Sequence, residues 1–119
     1  MITTIPNYRE LTQSVSKNLA TLRSDIPAVM KGFGELAKAA TAEGALDKKT
    51  KELIALALGV AARCDACIGF HVQALIKLNV TKSELEEMLA MAVYMGGGPS
   101  LMYSANTMAA FEELSSASS

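Results

Sequence analysis

Apolar positions recur along this chain at the three- and four-residue spacing of helix faces, and nowhere convincingly at the two-residue spacing of strands. Leu11, Val15, Leu19 and Leu22 form the first such face. The segment SDIP interrupts it, where Ser24 or Asp25 is suited to cap the next helix and Pro27 to sit in its first turn. That second helix carries Val29, Met30, Phe33, Leu36, Ala37 and Ala40 on one face. EGALD reads as a turn, with Gly44 closing one helix and Asp47 capping another. The third helix starts near Lys48 and becomes apolar almost all round, which predicts burial. The fourth contains RCDACIGFH and runs to about Leu78, with Asn79 as a left-handed stop. Thr81 followed by Glu84 is a capping-box pair, opening a fifth helix through Leu85, Met88, Leu89, Ala92 and Val93. GGGP breaks it, and a sixth helix carries Leu101, Met102, Ala105, Met108, Ala109 and Phe111. The prediction is an all-α fold of about six helices, one domain over residues 1–114, with a disordered tail at 115–119.

Composition adds a constraint on assembly. The 119 residues are 50% apolar but only 5% aromatic, so the bulk comes from Ala, Leu, Met, Ile and Val. Such a chain can bury a core without disulfide staples. Six short helices cannot cover this many apolar faces alone, and a homo-oligomer is expected. The methionines, among them Met88, Met91, Met95, Met102 and Met108, read as core and interface filler.

Charge and hydropathy remove several classes. A net charge of −1 with no basic stripe gives no pull toward nucleic acid or an anionic membrane surface. The longest apolar run, Leu53 to Ala62, is ten residues, about half of what a membrane span needs. MITTIPNYRE has no apolar core behind a basic start. The expectation is a soluble cytoplasmic protein. The glycines of GGGP follow no strand and precede no P-loop lysine, so they mark a helix break, not a phosphate site.

Both cysteines and the single histidine fall within eight positions: Cys64, Cys67 and His71. On a helix they lie within about 60° of one another, and Cys67 and His71 form an i, i+4 pair. Three readings are open. In the redox reading, helix N-terminal N–H groups favour a thiolate, His71 supplies a base, and the second thiol resolves a sulfenic acid to a disulfide that a reductant reopens. In the metal reading Cys64, Cys67, His71 and Glu52 are the ligands, without a second Cys or His cluster to close a structural site. In the third, the cysteines are simply buried apolar side chains. In the cytoplasm a Cys pair is more often catalytic or metal-binding than structural.

Glu52 stands twelve residues before Cys64. In one continuous helix it would be ~18 Å from that cysteine. If the chain folds back near residues 60–63, Glu52 and His71 become equidistant from the turn, and the carboxylate can orient the imidazole. Gly59 is the only breaker in GVAARC. Otherwise Glu52 is a surface carboxylate paired with Lys48 or Lys49.

Glu52, eleven residues, then CDACIGFH is the pattern E-x11-C-x2-C-x3-H. It resembles the alkylhydroperoxidase D-like branch of the carboxymuconolactone decarboxylase family, with likeness from about Ala45 to Glu113 including GGGPSLMYSANTMAAFEEL. The resemblance implies an all-helical fold with the Cys pair at the start of a central helix, assembled as trimers or hexamers. It implies peroxide reduction in antioxidant defence, with Cys67 matching the attacking thiol, Cys64 the resolving thiol, and Glu52 and His71 the proton relay. The implied reductant is a thiol or a dihydrolipoyl protein, and no cofactor is called for. The chain has the length of the single-repeat members. Some members carry a further His inside the Cys-x-x-Cys, where Asp65 and Ala66 stand here. The decarboxylase branch lacks the Cys pair. A lactone-decarboxylase-type enzyme working without thiol chemistry, and a redox-sensing oligomeric module without turnover, are the alternatives.

Overall fold

Six helices and no strand make up the structure, a computed structural model that describes residues 6–116. They are α1 (Tyr8–Asp25), α2 (Pro27–Thr41), α3 (Lys48–Ala61), α4 (Asp65–Lys77), α5 (Lys82–Gly96) and α6 (Gly98–Ser115). Among the described residues no helix is long and apolar enough to cross a membrane.

Local chemistry accounts for most helix ends. Asn7 caps α1 and Asp47 caps α3, each side chain accepting an N–H three residues on. Thr81 and Glu84 form the expected capping box of α5. Glu84 also meets Lys49 of α3 at 3.0 Å, an exposed pair worth little by itself. Asn79 takes the left-handed conformation (φ 60°) after α4, with the Val80 and Asn79 N–H groups bonded to the Leu75 and Ile76 carbonyls. Gly97 (φ 73°) links α5 to α6, and a side chain there would be strained.

Three ends differ from the sequence reading. Ser24 and Asp25 do not cap α2, because α1 runs through Asp25 and Ile26 alone makes the joint before Pro27. Gly44 does not close α2, which stops at Thr41 and hands over to Ala42 in extended conformation. Helix α6 continues through Ser115, one residue past the expected domain end at 114, while 117–119 lie outside the described residues.

Helix α4 packs against α1, α3 and α6, and α5 closes the group against α3 and α6. The core is Tyr8, Leu56, Val60, Ile68, Val72, Leu75, Leu85, Leu89 and Ala110, with Val80 and Ala92 at its margin. Two faces depart from expectation. Helix α3 is not buried all round: Ile54 and Leu58 are exposed. Helix α6 turns Ser100, Ser104, Thr107 and Ala110 inward and leaves Leu101 and Met102 exposed. Small hydroxyl residues permit close helix approach, and Thr107 satisfies its hydroxyl on the Tyr103 carbonyl of its own helix (2.8 Å). Among the described residues, helix α2 packs on α1 and α3 alone of the helices and buries no residue.

Candidate functional site

The link between α3 and α4 builds the site. Gly59 lies inside α3, not at its end. The chain reverses at Arg63, which takes φ 57°. The Cys64 N–H bonds to the Gly59 carbonyl and the Arg63 N–H to the Val60 carbonyl, both at 3.0 Å. This is a complete Schellman motif with arginine in the position that glycine usually fills. The left-handed conformation costs a non-glycine residue about 1 kcal/mol. Cys64 therefore ends one helix motif and begins the next: it is the N-cap of α4, its Sγ accepting the Cys67 N–H at 3.1 Å.

Cys64 and Cys67 form a disulfide, with Cα atoms 5.2 Å apart. Both residues are half-buried. Gly59 has its role here, since a Cβ on it would stand 3.1 Å from the Cys67 Cβ. Its missing side chain lets α4 press the Cys64–Cys67 disulfide against α3.

Seven residues before Gly59, on the same face of α3, is Glu52. It is not a surface carboxylate paired with Lys48 or Lys49: its side chain is 9% exposed, and Lys49 reaches Glu84 instead. Its Oε1 lies 2.7 Å from His71 Nδ1. With the carboxylate ionised, Nδ1 carries the proton and donates, which leaves Nε2 as the ring's acceptor. The His71 side chain is 33% exposed, so the pair runs from the core edge to the surface. The hairpin thus joins all four sequence-selected residues: Cys64 and Cys67 by a covalent bond, Glu52 and His71 by a hydrogen bond.

Two residues that the pattern does not single out adjoin the site. Asp65, inside the Cys-x-x-Cys, is the first residue of α4 and accepts a hydrogen bond from Tyr8 Oη at 2.9 Å. Tyr8 is fully buried. Burial, and then the Asp65 carboxylate, push its hydroxyl well above the usual tyrosine range. No grouping of three or more His, Cys, Asp or Glu side chains suited to a metal ion occurs among the described residues. An apolar groove of about 290 Å³, lined by Ala57, Leu58, Ala61, Met91 and Met95, opens between α3 and α5. It lies on a different face of α3 from Glu52 and Gly59.

The profile of the carboxymuconolactone decarboxylase family matches residues 27–110. An uncharacterised protein of Cupriavidus necator is 39% identical over 100 residues, covering 84% of this chain and 88% of its own length. A family member from Legionella pneumophila, solved in its apo form, superposes with a TM-score of 0.90 at 58% identity, over 91% of this chain and 96% of that one. One from Thermotoga maritima, for which a part in an antioxidative response has been suggested, superposes with a TM-score of 0.77 at 29% identity, over 87% and 88% of the two chains.

Proposed function

The chain belongs to the carboxymuconolactone decarboxylase family, and within it we propose a thiol-dependent reductase of organic hydroperoxides. One observation carries the reading: a single helix hairpin holds a Cys-x-x-Cys disulfide and a Glu–His hydrogen bond 2.7 Å long. The suggested antioxidative part of the Thermotoga relative supports it.

In the reduced protein, His71 takes the proton of the Cys67 thiol. The thiolate attacks the terminal oxygen of the hydroperoxide, the O–O bond breaks, and Cys67 becomes a sulfenic acid. The leaving alkoxide takes the proton from His71 and departs as the alcohol. Cys64 then attacks the Cys67 sulfur, the S–S bond forms, and hydroxide leaves as water with the Cys64 proton. One dithiol and one hydroperoxide yield one disulfide, one alcohol and one water. A dithiol reductant of dihydrolipoyl type resets the pair by exchange. The Cys67 N–H on Cys64 Sγ favours negative charge on that sulfur when it attacks and when it leaves. Glu52 holds the imidazole tautomer and steadies the imidazolium that forms. A pair that thiols must re-reduce suits the cytoplasm.

Reduced protein mixed with cumene hydroperoxide in a stopped-flow cell tests the reading. Loss of two thiols and of two hydrogens in mass per chain is expected; retention of both thiols overturns it.

Assembly as a trimer or hexamer is part of the proposal. Val29, Phe33 and Leu36 of α2 are each more than 60% exposed, as are Leu58 of α3 and Met95 of α5. Exposed apolar side chains in this number mark interfaces. Light scattering is expected to give three or six times the 12.6 kDa chain mass, and a monomer would remove this part.

A further inference from the structure

Asp65 places an acidic side chain inside the Cys-x-x-Cys, in the first turn of α4. It stands between two cysteines whose reduction places negative charge on sulfur, at the helix N-terminus whose N–H groups favour that charge. A carboxylate there benefits from the same N-terminal field and opposes a thiolate beside it. Asp65 does not face solvent alone: Tyr8 donates to its Oδ1 at 2.9 Å.

Tyr8 is placed for this task by three further contacts. Its N–H donates to Glu113 Oε1 at 2.9 Å, which fixes the first turn of α1 on α6. Gly69 of α4 lets α1 approach, since a Cβ there would stand 2.6 Å from Thr12 Cγ2 and 3.4 Å from Tyr8 Cδ1. Gln73 of α4 donates to Thr12 Oγ1 at 3.1 Å, locking the same two helices one turn on. The tyrosine ring therefore crosses the core with no exposed surface and ends at the redox motif, 57 residues away in sequence. Its hydroxyl stays protonated, because burial and Asp65 both oppose its ionisation.

We propose that Tyr8 is a positioning residue that acts through Asp65 to set the redox poise of the Cys64–Cys67 pair. Reduction of the disulfide takes two electrons and one proton and yields a thiolate and a thiol. The Asp65 charge disfavours that product. The hydrogen bond from Tyr8 withdraws part of the charge and holds the carboxylate in one place, so it shifts the balance back toward the dithiol. Nothing else in the core need change for this to operate. The inference rests on the redox reading of the pair and is independent of which oxidant the pair meets.

Equilibration with glutathione, read by alkylation and intact mass, tests it on the full chain. Asp65→Asn removes the charge and keeps an acceptor for Tyr8. It is expected to move the thiol–disulfide equilibrium about tenfold toward the dithiol, about 30 mV for this two-electron couple. Tyr8→Phe is expected to move it about threefold the other way, as loss of one charge-assisted hydrogen bond permits. In the Asp65→Asn background, Tyr8→Phe is expected to move it by nothing measurable, because the charge it moderates is gone. A purely structural tyrosine would lower the melting temperature of both backgrounds alike and leave the equilibrium where it was. An equal shift in both backgrounds, or none on Asp65→Asn, overturns the proposal. Hydroperoxide plays no part in the measurement. A wild-type pair that equilibrates with glutathione but consumes no hydroperoxide removes the peroxidase reading and leaves this one standing.

Discussion

Cys67→Ser is expected to abolish hydroperoxide consumption, whereas Cys64→Ser is expected to permit one event per chain and then stop. A serine hydroxyl is hardly ionised near neutral pH, so the attack on oxygen is lost outright with Cys67. His71 lies one turn beyond Cys67 on the same helix, while Cys64 sits before the helix as its cap. That is why the base is assigned to Cys67. Without Cys64 the sulfenic acid has no resolving partner. It should persist on Cys67 as one added oxygen in the intact mass, and react with dimedone. The opposite pattern would transfer attack to Cys64, whose sulfur already receives the Cys67 N–H. Undiminished turnover by Cys67→Ser under a working dithiol reductant would remove the thiol mechanism altogether.

The fold was legible where side chains announce their own backbone geometry. Asp47, and Thr81 with Glu84, satisfy helix ends with their polar side chains, and Asn79 ends α4 by taking the left-handed conformation. The reversal that matters most carries no such mark. Asn79 and Arg63 terminate α4 and α3 by the same Schellman pattern of bonds, yet only asparagine tolerates the left-handed conformation well enough to be predicted there. Arg63 is held by tertiary context: two backbone bonds behind it, the Cys64 cap ahead, and the packing of α3 on α4. Gly59, the one apparent breaker, serves a neighbour across the hairpin and not its own backbone.

The faces of α3 and α6 depart from the periodicity for a different reason. Periodicity tells which residues share a face, but not which face a partner covers. Leu101 and Met102 belong to an apolar stripe as real as that of Leu85 and Leu89, yet only the latter is buried within the chain. In α6 the inward face uses serine and threonine, whose small size favours close packing and whose polarity hides it from a hydropathy reading. The four-residue pattern anticipated that Glu52 meets His71, because two antiparallel helices preserve distance from their turn, and that Cys64 and Cys67 stand within bonding reach of each other. Tyr8 was not accessible in that way. It reaches Asp65 from another helix, and a lone aromatic near the chain start carries no spacing signal. The Asp65 carboxylate inside the Cys-x-x-Cys was the one available cue, since a charge there asks for a partner.

Replacing Glu52 by Gln is expected to lower the rate of thiol oxidation by hydroperoxide by about one to two orders of magnitude, and His71→Gln by about two. The two effects should not add, because the residues act as one unit: in the His71→Gln background the Glu52 change should cost little more. Stability supplies the discriminating readout. A carboxylate whose side chain is only 9% exposed carries a desolvation cost that one hydrogen bond to a half-exposed imidazole only partly offsets. Glutamine has nearly the same shape, can hold the His71 ring, and bears no charge. Glu52→Gln should therefore leave thermal stability unchanged or raise it by up to about 1 kcal/mol while activity falls. A pair kept only to hold α3 against α4 would give the reverse, a lower melting temperature with an unchanged oxidation rate. The sign of the two changes measured on the same variant thus separates a proton relay from a structural contact. On the proposed relay, Glu52 stands where packing alone would favour a neutral residue because its charge acts on His71.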